Sequence, residues 1–190
     1  GDLDAFDGTY QDGNAKPPAS TDVSEIWLND GKGHFSFAPQ SAVSAQKLPT
    51  SGGSFVDYDR DGLLDLFVGT WYAPSALDGA GNRLYKGAGD GSFTDVSTDA
   101  KVLRPAINDD QTKYLAGEYR RPAYGVTACD VDNDGDVDLL VSSYGRGWNE
   151  LWINDGNGVF HEAGQGTPLA ADDDLDYKSD NEFYHCWCKK

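Results

Sequence analysis

The sequence predicts an all-β fold made of repeated four-stranded antiparallel sheets, and two observations carry that prediction. An acidic loop occurs twice, as Asp57-Tyr58-Asp59-Arg60-Asp61-Gly62-Leu63-Leu64-Asp65 and as Asp130-Val131-Asp132-Asn133-Asp134-Gly135-Asp136-Val137-Asp138. A hairpin pattern occurs three times, opening at Glu25-Ile26-Trp27, Arg83-Leu84-Tyr85 and Glu150-Leu151-Trp152. Each hairpin alternates apolar and polar residues, turns through Gly, Asn or Asp, and resumes at Phe35, Phe93 or Phe160, which is the signature of two strands joined by a tight turn. Each acidic loop runs directly into a β-type segment, Leu66-Phe67-Val68 or Leu139-Leu140-Val141. Strand, acidic loop, strand, connection, strand, turn, strand is the order of a four-stranded blade.

The first element is a shortened copy of this unit. Gly1-Asp2-Leu3-Asp4-Ala5-Phe6 superimposes on Gly62 to Phe67 and on Gly135 to Leu140, so residue 1 falls at position 6 of a loop. We read the chain as an internal piece of a longer polypeptide, with residues 1–53 as a partial blade. Residues 54–123 and 124–163 are then complete blades. The remainder, 164–190, is an acidic, Cys-containing connection toward a next blade, in which Asp172-Asp173-Asp174-Leu175-Asp176 lacks the glycine and the spacing of the loops. All of these belong to one domain. Side-by-side stacking of three such sheets should leave an apolar face uncovered.

The loops carry the chemistry. Carboxylates at positions 1, 3, 5 and 9 repel one another unless a hard divalent cation lies among them. The expected ligands are Asp57, Asp59, Asp61 and Asp65 with the carbonyl of Leu63, and Asp130, Asp132, Asp134 and Asp138 with the carbonyl of Asp136. Asp2 and Asp4 are the remnant of a third, truncated site. Calcium is the cation this oxygen set fits. An EF-hand is excluded, since position 12 is Val68 or Val141 rather than Glu and no helical stripe flanks the loop. A metal-free Asp/Gly turn uses the same residue types, but turn chemistry does not require four carboxylates at fixed offsets twice.

Ser54 to Gly69, and Gly125 to Val141 with its following hairpin, resemble FG-GAP (VCBS-type) repeats, the blades of integrin-α-like propellers and of the cartilage acidic protein group. The resemblance covers roughly residues 1–160, and it implies a calcium-binding β-propeller of which these are about three blades. Propellers of this family commonly have seven.

Composition narrows the function. Asp and Glu number 32 against 15 Lys and Arg, giving a formal charge of −17, which disfavours nucleic-acid phosphates and anionic membranes. No stretch approaches the roughly 20 apolar residues that span a bilayer. Aromatic residues at 12%, in regular alternation, argue for a packed core rather than the disorder that acidity alone would suggest. Cys129 stands where Val56 stands in the neighbouring repeat and is expected as a buried thiol. Cys186-Trp187-Cys188 and the millimolar calcium of extracellular fluid place the protein outside the cell or on its surface.

Long inserts, Gln11 to Ser24, Ala38 to Gly52, Ala73 to Asn82 and Val96 to Ala123, are expected on the face opposite the metal loops. Tyr10, Trp71 and Tyr144 recur six residues after the ninth-position aspartate, with Tyr72, Arg146 and Trp148 near them. Such aromatics either stack on a glycan or a protein partner or pack between blades. Trp27, Tyr85 and Trp152 lie inside alternating strands and are expected in the core.

Catalytic patterns are weak. His34, His161 and His185 share no repeat position, and neither a Gly-x-Ser-x-Gly elbow nor a His-x-x-x-His pair occurs. The favoured reading is an extracellular calcium-binding scaffold that binds a protein, a glycan or copies of itself. The alternative is the propeller domain of a carbohydrate-active enzyme, a polysaccharide lyase or hydrolase.

Overall fold

The alternating segments form eleven short strands and one helical turn in the computed structural model, which describes residues 4–10, 23–72, 79–106, 119–144, 148–164, 167 and 169. The first sheet holds β1 (Ala5–Asp7), β2 (Glu25–Asn29) and β3 (Phe35–Phe37) in that order. The second holds β4 (Thr50–Val56), β5 (Asp65–Thr70), β6 (Arg83–Gly87) and β7 (Phe93–Asp95). The third holds β8 (Ala123–Cys129), β9 (Asp138–Ser143), β10 (Glu150–Asn154) and β11 (Phe160–Glu162). Every pairing is antiparallel between sequence neighbours, so each sheet is a meander.

The repeat is reproduced at the level of register. Leu66 stands opposite Phe55 and Tyr85, and Leu139 opposite Ala128 and Trp152. Both complete sheets carry an irregularity in the first strand, between Thr50 and Gly52 and between Ala123 and Gly125. There a Cβ placed on Gly52 would come within 3.9 Å of the Gly125 backbone. Glycine at both positions lets the first strands of neighbouring sheets approach closely.

Because alternate residues of a strand point to opposite faces, each sheet presents two apolar layers. Leu66, Val68, Tyr85 and Phe93 form one, packed with Ile26 and Val43 and flanked by Phe6 and Leu28 of the first sheet. Val56, Phe67 and Leu84 form the other, packed with Leu139, Val141, Trp152 and Phe160 of the third. The second sheet is thus covered on both sides, and Leu66, Phe67 and Leu84 are wholly buried. Each such side chain contributes on the order of 1.5–3 kcal/mol.

The outer layers of the first and third sheets explain two departures from expectation. Cys129 is exposed, not buried. Its counterpart Val56 is buried because the third sheet covers it, whereas no described sheet covers the far side of the third. Likewise Tyr85 and Trp152 are buried, but Trp27 is only half-buried, stacked on Phe37 with ring centroids 4.1 Å apart. Phe35, equivalent to the buried Phe93 and Phe160, is 50% exposed.

Two inserts hold more structure than long loops. The stretch from Ala38 contains the helical turn α1 (Ala42–Ala45), whose Val43 joins the core, and it passes into β4 at Thr50. The stretch after β7 wedges Ala100 and Val102 between the second and third sheets, with the Ala100 carbonyl accepting from the Phe160 N–H. That part fills the seam between sheets instead of crowding a loop face. Among the described residues no helix is long and apolar enough to cross a membrane.

Candidate metal centres

Each acidic loop joins the first two strands of its sheet, β4 to β5 and β8 to β9. Both loops fold back through left-handed backbone at matching places, Arg60 (φ 57°) and Gly62 (φ 85°) in one, Asn133 (φ 62°) and Gly135 (φ 91°) in the other. Glycine and asparagine tolerate that region and arginine does so at some cost. Side-chain carboxylates then accept from the loop backbone: Asp57 from the N–H groups of Asp61 and Gly62, each at 3.1 Å, and Asp130 from that of Gly135 at 3.1 Å.

The turn brings three carboxylates together in each loop. Ligand oxygens of Asp57, Asp59 and Asp61 all lie within 4.8 Å of one another, and so do those of Asp130, Asp132 and Asp138. The two triads are not the same subset of the repeat. Asp61 converges in the first and its counterpart Asp134 is not among the converging carboxylates of the second, although both accept the N–H two residues on, from Leu63 at 2.9 Å and from Asp136 at 2.8 Å. Asp65 stands outside the first triad.

Asp65 has another role that the motif alone did not disclose. It is wholly buried, with one oxygen accepting the Tyr58 N–H at 3.1 Å and the other the Gly87 N–H at 2.9 Å. Asp138 repeats this, accepting from Val131 and from Asn154, each at 2.9 Å. Asp4 accepts the Asn29 N–H at 2.9 Å. The ninth-position aspartate therefore braces the acidic loop against the end of the neighbouring hairpin in the second and third sheets, and Asp4 makes the hairpin half of the same contact in the first. Burial raises the pKa of Asp65 to about 6 against the lowering effect of these hydrogen bonds, so a nearby cation would favour its ionised form.

The position-7 residues differ between loops. Leu63 is 37% exposed, while the Asp136 carboxylate pairs with Arg60 of the neighbouring loop at 2.8 Å. Asn154 Nδ2 also donates to the Tyr58 carbonyl at 2.8 Å. The two loops therefore sit side by side and are physically tied. Electrostatics distinguish them further: hydrogen bonding from Lys86 lowers the Asp61 pKa, whereas desolvation and the charges of Asp134, Asp138 and Asp130 raise that of Asp132.

At the other end of the strands the structure gathers some of the expected aromatics. Trp71 lies 5.5 Å from Tyr72, 4.7 Å from Tyr144 and 5.2 Å from Tyr124, centroid to centroid. Tyr124 was not legible as a member because it precedes its acidic loop, and it is 61% exposed. Tyr10, 56% exposed, is not part of this ring cluster. Trp148 packs instead under the Arg121 guanidinium, 5.5 Å from its ring, and its carbonyl accepts from Arg121. Asp2, Arg146, Asp172 to Asp176, His185, Cys186 and Cys188 lie outside the described residues.

No curated protein matches the chain. A family model described as FG-GAP-like repeat matches residues 1–68 and 130–177, more than half of the sequence. The matched segments contain both acidic loops, and the unmatched stretch between them completes the second sheet in the same meander topology. The register, the paired loops and this match together establish that the chain belongs to the FG-GAP-like repeat family.

Proposed function

We propose that this chain is part of an extracellular or cell-surface β-propeller, commonly seven-bladed in such proteins, held rigid by calcium at the two acidic loops. The observation that carries the reading is the convergence of three carboxylate oxygens in each loop. The donors are all oxygen, multiply charged and carried on an adaptable turn, which suits calcium better than zinc or magnesium. Asp57, Asp59 and Asp61 would hold one ion and Asp130, Asp132 and Asp138 the other, with the carbonyls of Leu63 and Asp136 as further candidates. Bound calcium would neutralise the charge in both loops, cross-linking positions 1, 3 and 5 of the first and the start of the second to its end at Asp138. Calorimetric titration of the chain with calcium should give two sites. Asp57→Ala and Asp132→Ala should each remove one, and heat absent from both loops would refute the assignment.

Partner binding is assigned to the opposite end of the strands, where Trp71, Tyr72, Tyr124 and Tyr144 form a partly exposed aromatic cluster shared by two sheets. Trp71 sits at its centre and Tyr124 on its rim. Trp71→Ala should therefore cost roughly 2–4 kcal/mol of stability, as large-to-small changes at packed sites do. Tyr124→Ala should leave stability within about 1 kcal/mol yet reduce glycan or protein capture. Equal capture by wild type and Tyr124→Ala on a glycan array and in partner pull-down would leave the cluster a packing feature.

A further inference from the structure

The two loops differ most in one neighbour. Lys86 on β6 forms ion pairs with Asp59 and, at 2.8 Å, with Asp61. At the matching place on β10 stands Ile153, since Tyr85 and Trp152 occupy the same register opposite Leu66 and Leu139. We propose that Lys86 is a tethered cation that competes with calcium for Asp59 and Asp61, so that the second loop fills at lower calcium than the first. The inference rests on the calcium reading of the loops given above.

The physical reason is direct. Two of the three converging carboxylates of the first loop already have a positive partner. Calcium gains their oxygens only by displacing an ammonium that then remains nearby, and like charges a few ångströms apart repel. Lys86 also lies 6.0 Å from the Tyr58 ring, so the side chain is held at the loop rather than dispersed in solvent. Among the described residues no ion pair reaches Asp130, Asp132 or Asp138, and Arg60 nearby engages Asp136, which is not among the converging carboxylates of the second loop. The second triad therefore keeps its mutual repulsion until a cation arrives, and the first is partly neutralised beforehand. One loop becomes a constitutive structural site and the other responds to rising calcium.

Calcium titration by calorimetry on the full chain tests this in single-loop backgrounds. With the second loop disabled by Asp132→Ala, adding Lys86→Gln should tighten binding at the first loop on the order of tenfold. With the first disabled by Asp57→Ala, adding Ile153→Lys should weaken binding at the second by a similar factor. The two substitutions lie in different sheets, so each reports independently of any folding defect in the other. Calcium binding that persists with Kd unchanged by both substitutions would overturn the role of Lys86 and leave the loops as calcium sites. Absence of binding in both single-loop proteins would instead remove the calcium reading itself, and the competition with it.

Discussion

Chelation of calcium should lower the melting temperature of this protein by about 10–20 °C. A ligand that binds only the folded state stabilises it by RT ln(1 + [L]/Kd), about 2.7 kcal/mol per site at a hundredfold excess over Kd. Two such sites give roughly 5 kcal/mol, and a chain of this size loses about 2–4 °C per kcal/mol. The direction follows from the loops themselves. Each gathers three carboxylates within 4.8 Å, an arrangement whose repulsion raises the energy of the folded state relative to the open chain, less so in the first loop, where Lys86 offsets part of it. Because Arg60 of one loop pairs with Asp136 of the other, both sheets should loosen together, giving one broadened transition rather than two. Scanning calorimetry with EGTA, then with calcium restored, reads this directly, and magnesium at the same concentration should restore little of the loss. A melting temperature indifferent to EGTA would show that the carboxylates are satisfied by their backbone hydrogen bonds and by Lys86 alone.

The parts of this molecule that the sequence disclosed are those that repeat. Period-two alternation and the Asn-Asp-Gly turn gave the hairpins, because a strand's face is fixed by parity and a tight turn by residues that tolerate positive φ. Carboxylates at fixed offsets gave the loops. What stayed hidden depends on neighbours in space. Cys129 and Val56 share a repeat position, yet one is exposed and the other buried, since burial is set by the adjacent sheet and not by the strand. Asp65 read as a metal ligand by spacing alone, and its bond from the Gly87 N–H appears only once β6 is placed beside the loop, where it joins the bond from Tyr58 within the loop. Lys86 is an ordinary polar residue of an alternating strand until its side chain is found against Asp59 and Asp61. The aromatic register at Trp71 and Tyr144 was legible, but Tyr124 joins them from a strand whose sequence gave no matching signal.

Glu150→Ala should cost roughly 3–5 kcal/mol, the largest effect expected of any single substitution here. Glu150 opens β10 with its side chain only 2% exposed, and one oxygen lies 2.9 Å from Arg104, a residue of the insert that precedes β8. Its other oxygen accepts from Trp152 Nε1 at 3.1 Å and from Asn82 Nδ2 at 3.3 Å, and Asn82 in turn accepts the Thr70 N–H at 3.1 Å. Arg104 also reaches Glu162 at 3.3 Å and stacks 4.9 Å from the Trp152 ring. One carboxylate thus ties the insert, the second sheet and the third sheet into a single seam. Removing a buried carboxylate leaves the guanidinium with less compensation and strands two donors, and broken buried pairs typically cost 3–5 kcal/mol. Glu150→Gln retains an oxygen acceptor for Trp152 and Asn82, so it should lose about half as much. The pairing with Arg104 is separable from the hydrogen bonds by a double-mutant cycle. Arg104→Met combined with Glu150→Leu should be less destabilised than the sum of the single changes by about 1–3 kcal/mol, since no buried charge is then left alone. Additive losses in urea denaturation would mean that the carboxylate acts only through its neutral donors, and that the insert is held to the seam by Ala100 and Val102 instead.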